Sequence, residues 1–400
     1  MAASISTESV PVEADWRVVT SQEPSAVVVR EDERDEVLPQ KCEEESNHCI
    51  NKHELPETLT ADLLERLEKA RILGNDDKLL LSARLLRGVD YGHLQAVHHD
   101  LLREAALFNS VLQDNTASLD GWVKQGEHTG RHNFSIYYKL NETAHGRDLS
   151  CRLDTVIHSD LLVPIISVLN ESELYSSWLP NWTVPKLRVV TSEKIRQTGR
   201  CSQIVNIVTE VPWPLAKRQV ILKAVACDDI DCHPKEEDGN TIDGQGGSGG
   251  RILIRIQSLD TDTNEKEGWN ISPADKGVVR MKVHGGFTIE KCPADHPMKR
   301  YAERYDEGLE KPESLVSRED LVLLTFIFCL DPQLASVPKP FIDFFLRNAM
   351  GKMWNMFLNV AEEVKDGERN AHSDAIAVKR VLYDWVEERT KVMLEQKLSR

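Results

Sequence analysis

VVRMKVHGGFTIEKCP, residues 278–293, sets the reading of the whole chain. Val279, Met281, Val283, Phe287 and Ile289 share one parity, and Arg280, Lys282, His284, Thr288 and Glu290 take the other. Successive side chains leave a strand on opposite sides, so this alternation predicts a strand with one buried face. The apolar run LVLLTFIFCL (321–330) carries large residues on both parities, which predicts a strand covered on both faces.

Upstream, the same period recurs. Phe134, Ile136, Tyr138 and Leu140 alternate with polar neighbours, as do Leu149, Cys151, Leu153 and Ile157. A short strand near Trp122 and further strands near 186–197, 202–211, 220–227 and 251–258 bring the total to about nine. Before them the period is 3.6: Leu63, Leu64, Leu67, Ala70 and Leu73 follow the candidate N-cap Thr60, and a longer stripe runs from Leu94 to Leu112. A short helical piece is expected within 160–182. After Pro338 and Pro340, the residues Ile342, Phe345, Leu346, Ala349, Met353 and Phe357 predict a long helix, and Val378, Val381, Leu382, Trp385 and Val386 a final one.

Charge and composition narrow the function. The chain has a net charge of −16 and no basic stripe, which argues against nucleic acid, since phosphate contacts require clustered Lys and Arg. Residues 1–54 hold 13 acidic against 5 basic residues, half of that excess, and read as a disordered acidic tail. No stretch reaches the roughly 18 apolar residues of a membrane span, and the first residues have neither a basic nor an apolar leader region. A cytoplasmic protein, peripheral at membranes, is the expectation. Eight cysteines without framework spacing read as reduced thiols. Motifs for a nucleophile elbow, a phosphate loop or a zinc protease are lacking, and the Cys/His spacings fit no common zinc module, so neither an enzyme nor a metal or other cofactor is expected.

The order of elements, with five local motifs, resembles the START family, the steroidogenic acute regulatory protein-related lipid-transfer domains. SSWLPNW (176–182), VPWPLAKRQVIL (211–222), SLD (258–260), VVRMKVHGGFTIEKCP (278–293) and CLDPQLASVPKPFIDFFLRNA (329–349) carry the likeness. Two positions depart from the family pattern. Gln219 stands where it has Asp, and the glycine after Asp331-Pro332 is missing. The resemblance implies an α+β helix-grip fold: a curved antiparallel sheet closed by a long C-terminal helix, over residues 115–365. It leaves 55–114 as a helical extension and 370–398 as a separate amphipathic helix. It also implies one lipid, whether sterol, phospholipid or sphingolipid, held in an internal tunnel, with transient contact to a membrane surface.

On strand parity, the residues expected against that lipid are Phe134, Ile136, Tyr138 and Leu153 from the first strands. Met281, Val283, Phe287, Phe326 and Phe328 follow from the later ones, with Phe345 and Met353 from the closing helix. The same residues, read from periodicity alone, make an ordinary packed core. Trp213, between Pro212 and Pro214, and the adjacent Leu215 form the expected membrane contact, because a fixed turn with an indole at its tip suits the interface. Lys223 falls mid-strand beside Ile221 and Val225, pointing either into the tunnel or outward. The alternative from another class is an interaction scaffold whose tunnel is filled by its own side chains.

Overall fold

The computed structural model describes residues 107–108, 110–115, 117–128, 132–143, 146–183, 186–212, 215–230, 250–259, 271–299, 320–331 and 349–395. The chain divides into two compact units, Met1–Lys52 and His53–Arg400, and every described residue belongs to the second. The acidic tail, most of the helical extension, Trp213 and Phe345 lie outside the described residues.

Among the described residues, eleven strands form one sheet. They are β1 (Val123–His128), β2 (Phe134–Thr143), β3 (Gly146–His158), β4 (Asn181–Thr183), β5 (Lys186–Gly199), β6 (Ser202–Glu210), β7 (Lys217–Asp228), β8 (Arg251–Ser258), β9 (Val278–Arg280), β10 (Lys282–Lys291) and β11 (Leu321–Asp331). Their order is β1-β2-β3-β11-β10-β8-β7-β6-β5-β4, antiparallel throughout, with β9 parallel beside the start of β7. Register shifts in the β5–β6 pair, at Val189/Thr191, Lys194/Arg196 and Gln197/Gly199, bend that end of the sheet.

Two strands exceed the nine that periodicity gives. The run from Val278 divides at Met281, because Arg280 pairs with Gln219 of β7 and the Met281 amide donates to the Gln219 carbonyl at 2.8 Å. Asn181, Trp182 and Thr183, at the end of the Trp-Leu-Pro-Asn-Trp turn, add β4. An alternation of side chains does not reveal a change of partner, since both halves remain extended.

The α-helices among the described residues are α1 (Leu162–Asn170), α2 (Gly351–Lys365), α3 (Asn370–Val378) and α4 (Arg380–Glu395), with helical residues 107–108 and 110–115 before β1. The final helix expected as one piece is two: Lys379 leaves helical geometry at φ −99° and ψ 33°, and its ammonium reaches Glu171 at the C-terminus of α1.

One face of the sheet packs on α1 and α2. The registers align Ile136, Leu153, Phe326, Phe287, Ile254 and Ala226 in a row across β2, β3, β11, β10, β8 and β7. Above the middle of that row sits α2. Phe287 stacks on Phe326 with centroids 4.1 Å apart, Phe326 on Trp354 at 6.0 Å, and Trp354 meets Phe357 at 5.2 Å. Trp178, from the Trp-centred turn, tilts against Phe357 at 6.0 Å.

The opposite face carries Val225, Cys227 and Leu253 under Phe108, one of the helical residues before β1. Buried polar pairs lie elsewhere on it. Arg152 donates to both oxygens of Asp154, Thr325 donates to Asp154 at 3.0 Å, and Arg251 pairs with Glu290 at 3.1 Å. In the middle of β10, Gly285 and Gly286 allow the backbones to close: a Cβ at either would lie 2.1 Å from a neighbouring carbonyl, that of Ile327 or Ile254.

Candidate functional site

The helix-covered face is not uniformly filled. Along the aligned row, large rings stand over β11 and β10, whereas β7 contributes Ala226, and the next row over contributes Ala224. Small side chains on one strand leave space above it, and here that space is a cavity. Ile252 and Ile254 of β8, Ile166 and Leu169 of α1, and Leu382, Trp385 and Val386 of α4 complete its apolar walls. Asn170, Arg200, Gln203, Asp228 and Arg389 supply polar groups. Its volume is about 90 Å³, and it opens to solvent on one side.

Local sequence explains the walls. In α1, Pro164 falls in the first turn, where its missing N–H costs little, and Leu162, Ile165 and Val168 point into the main core. Ile166 and Leu169 lie on the adjoining side and face the cavity. In α4, Leu382, Trp385, Val386 and Arg389 recur at i, i+3, i+4 and i+7, one stripe of a helix.

Polar contacts fix α4 at both ends. Arg389 donates through Nε to Asp228 at 3.1 Å and through Nη2 to the second oxygen of the same carboxylate. The Arg200 guanidinium lies over the Trp385 ring, 4.3 Å from its centroid. At the start of α4, Glu171 accepts from Lys379 at 2.5 Å, from the Tyr383 hydroxyl at 2.6 Å and from Asn170 at 3.0 Å. Burial alone would raise the Glu171 carboxyl, but these bonds and the Lys379 charge hold it below its ordinary value. His372 of α3, almost wholly buried, meets Ser167 of α1 at 3.1 Å, and burial holds its imidazole below the usual histidine value.

The residues expected against a lipid are brought together, but in a solid region. Phe134, Ile136, Leu153 and Phe287 are buried in the main cluster, with Tyr138, Phe326, Phe328 and Met353 partly buried against it. Met281 and Val283 are half-buried, and the Val283 amide donates to Ser258 of the Ser-Leu-Asp motif at 3.0 Å. Leu215 is half-buried in a turn closed on the Pro212 carbonyl at 3.1 Å. None of these lines the alanine-floored cavity. Lys223 is paired across the sheet with Ile204 and Gln257, so it belongs to the face away from α1, α2 and α4. Gln219 accepts the Arg280 guanidinium at 3.0 Å, a neutral partner where the family pattern has a carboxylate.

Sequence reasoning missed Ala224, Ala226 and Arg389, and read Leu382, Trp385 and Val386 only as a helical stripe together with Val378 and Val381, which the structure leaves exposed. A signal was present in ILKAVACD (221–228), where two alanines share one parity between larger residues. No group of three His, Cys, Asp or Glu side chains is placed to hold a metal ion among the described residues, and no helix among them is long and apolar enough to cross a membrane.

No family model matches the sequence, and no curated protein matches it. Among solved structures, human STARD10 is similar at 15% identity, covering 65% of this chain and 80% of its own, with a TM-score of 0.40. A STAR-related lipid transfer protein from Xanthomonas axonopodis is similar at 17% identity over 61% of this chain and 99% of its own, with a TM-score of 0.37. Human StAR-related lipid transfer protein 5 is similar at 13% identity over 66% and 96%, with a TM-score of 0.40. The family these structures belong to is the one that the five sequence motifs resemble. The helix-grip architecture of this chain stands on its own strand order and on the seat of α2 across the sheet.

Proposed function

We propose that this chain binds a single lipid between its sheet and its helices, as a carrier or a sensor rather than as an enzyme. The observation that carries the reading is the apolar gap over Ala224 and Ala226, in a fold whose remaining sheet face is densely packed. An apolar chain in water is unfavourable by about 0.8 kcal/mol per methylene, so a carrier must enclose its cargo. A sheet gripped by helices offers that enclosure, with a few polar groups at one side to orient a head. The parity-derived lining around Phe326 and Phe328 is the alternative wall, reached only if the aromatic stack parts. Trp213 and Leu215 remain the proposed membrane contact.

Native mass spectrometry of the purified protein tests the reading. A retained lipid adduct, or uptake from vesicles containing sterol and phospholipid, is the expected result. The bare mass under both conditions would overturn it. That outcome would favour the interaction scaffold, a reading supported by the unbroken stack of Phe287, Phe326, Trp354 and Phe357.

A further inference from the structure

We propose that α3 and α4 together form a lid over the cavity, which swings on the link after α2 and is latched by Glu171. The inference rests on the ligand-binding reading above and adds how the site opens. In its closed form α4 supplies four of the lining residues, Leu382, Trp385, Val386 and Arg389, and the cavity of about 90 Å³ is smaller than the several hundred Å³ (about 300 or more) of ordinary ligand sites, so a lipid is admitted only if this helix moves.

The two C-terminal helices are held in unlike ways. In α2 seven residues are buried, among them Trp354, Phe357 and Leu358 inside the aromatic core. In α4 four are buried, and in α3 only His372. The end of α4 is fastened by apolar contact, with Met393 in the main core and Val392 and Leu394 against it, while polar ties hold the rest: Lys379 and Tyr383 on Glu171, Arg389 on Asp228, and Lys291 donating to the Leu394 carbonyl at 2.5 Å. Segments with little buried apolar area and replaceable polar ties open first, while the core stays closed. The link would turn at Gly367, whose amide is bonded to the Val364 carbonyl at 3.1 Å in the closed form. Gly367 ends α2 at φ +76°, and a Cβ there would meet nothing within 4 Å. A second break follows at Lys379, the residue the latch engages.

The latch can be cut without touching the cavity wall, since neither Glu171 nor Lys379 lines it. Hydrogen exchange on the full chain, with uptake of anilinonaphthalene sulfonate followed in parallel, tests the lid. In Glu171→Gln and in Lys379→Met, α4 amides are expected to exchange about tenfold faster, the factor for losing one well-placed ion-pair partner. Exchange in α2 is expected to stay at its wild-type rate, and dye uptake to quicken by a similar factor. Two variants guard against one that folds poorly, and the wild-type exchange pattern needs neither. Protection lost together in α2 and α4, or wild-type α4 exchange and dye uptake in both variants, would overturn the lid. Independent opening of α4 with no dye uptake would keep the lid and remove the ligand-binding reading.

Discussion

Replacing Ala226 by leucine separates an available cavity from a merely imperfect core. Ala226 forms part of the cavity floor, beside Ile254 in register, with Leu382 and Val386 among the facing walls. Leucine adds three carbons. At about 0.8 kcal/mol each, their burial contributes up to about 2.4 kcal/mol if the space receives them. Restricting the side chain costs about 0.5–1 kcal/mol, which leaves a net gain of about 1.5 kcal/mol. At roughly 2–4 °C per kcal/mol for a domain of this size, the midpoint should rise by about 3–6 °C in a thermal melt. The same variant should carry less lipid in native mass spectrometry, because the added carbons occupy the ligand's place. A fall in stability by about 1–3 kcal/mol would mean that the space is too tight and the residue overpacked. Raised stability with an unchanged lipid load would refute the placement of the ligand over β7.

Trp354→Ala removes a ring packed among Phe287, Phe326 and Phe357, and should cost about 3–5 kcal/mol in chemical denaturation while leaving the lipid load in place. Loss of lipid at full stability would move the ligand to the aromatic stack. Gly286→Ala should destabilise by about 3 kcal/mol or more by the same measurement, because its Cβ would meet the Ile254 carbonyl at 2.1 Å and Val111 at 2.9 Å. Near-wild-type stability would show that β8 and β10 separate readily. Acid should loosen α3 and α4 before the core. His372 titrates below its free value of 6.5, so the unfolded form takes up its proton first and stability falls as pH drops below about 6.5. Glu171 titrates below 4.5, so its contribution is present above that pH and lost beneath it. Hydrogen exchange in α4 that is flat between neutral and mildly acidic pH would contradict the assignment.

Much of the architecture is legible in the sequence, because strand parity and helical spacing depend only on the geometry of neighbouring residues. The alternation through Phe287 and Ile289, the doubly apolar Leu321–Leu330 run and the stripe through Met353 and Phe357 each correspond to an element that packs against the main core. The Ser-Leu-Asp and Trp-centred motifs likewise find partners, Ser258 with Val283 and Trp178 with Phe357. Period does not report partner, so the turn of β9 toward β7 and the break at Lys379 emerge only when Gln219 and Glu171 arrive from distant segments. The cavity belongs to the tertiary structure for the same reason. Phe326 and Ala226 are both inward-facing by parity, yet one sits under Trp354 while the other opens beneath α4. Empty space is a difference between volumes that separate segments bring to one place, and no local pattern along the chain encodes that difference.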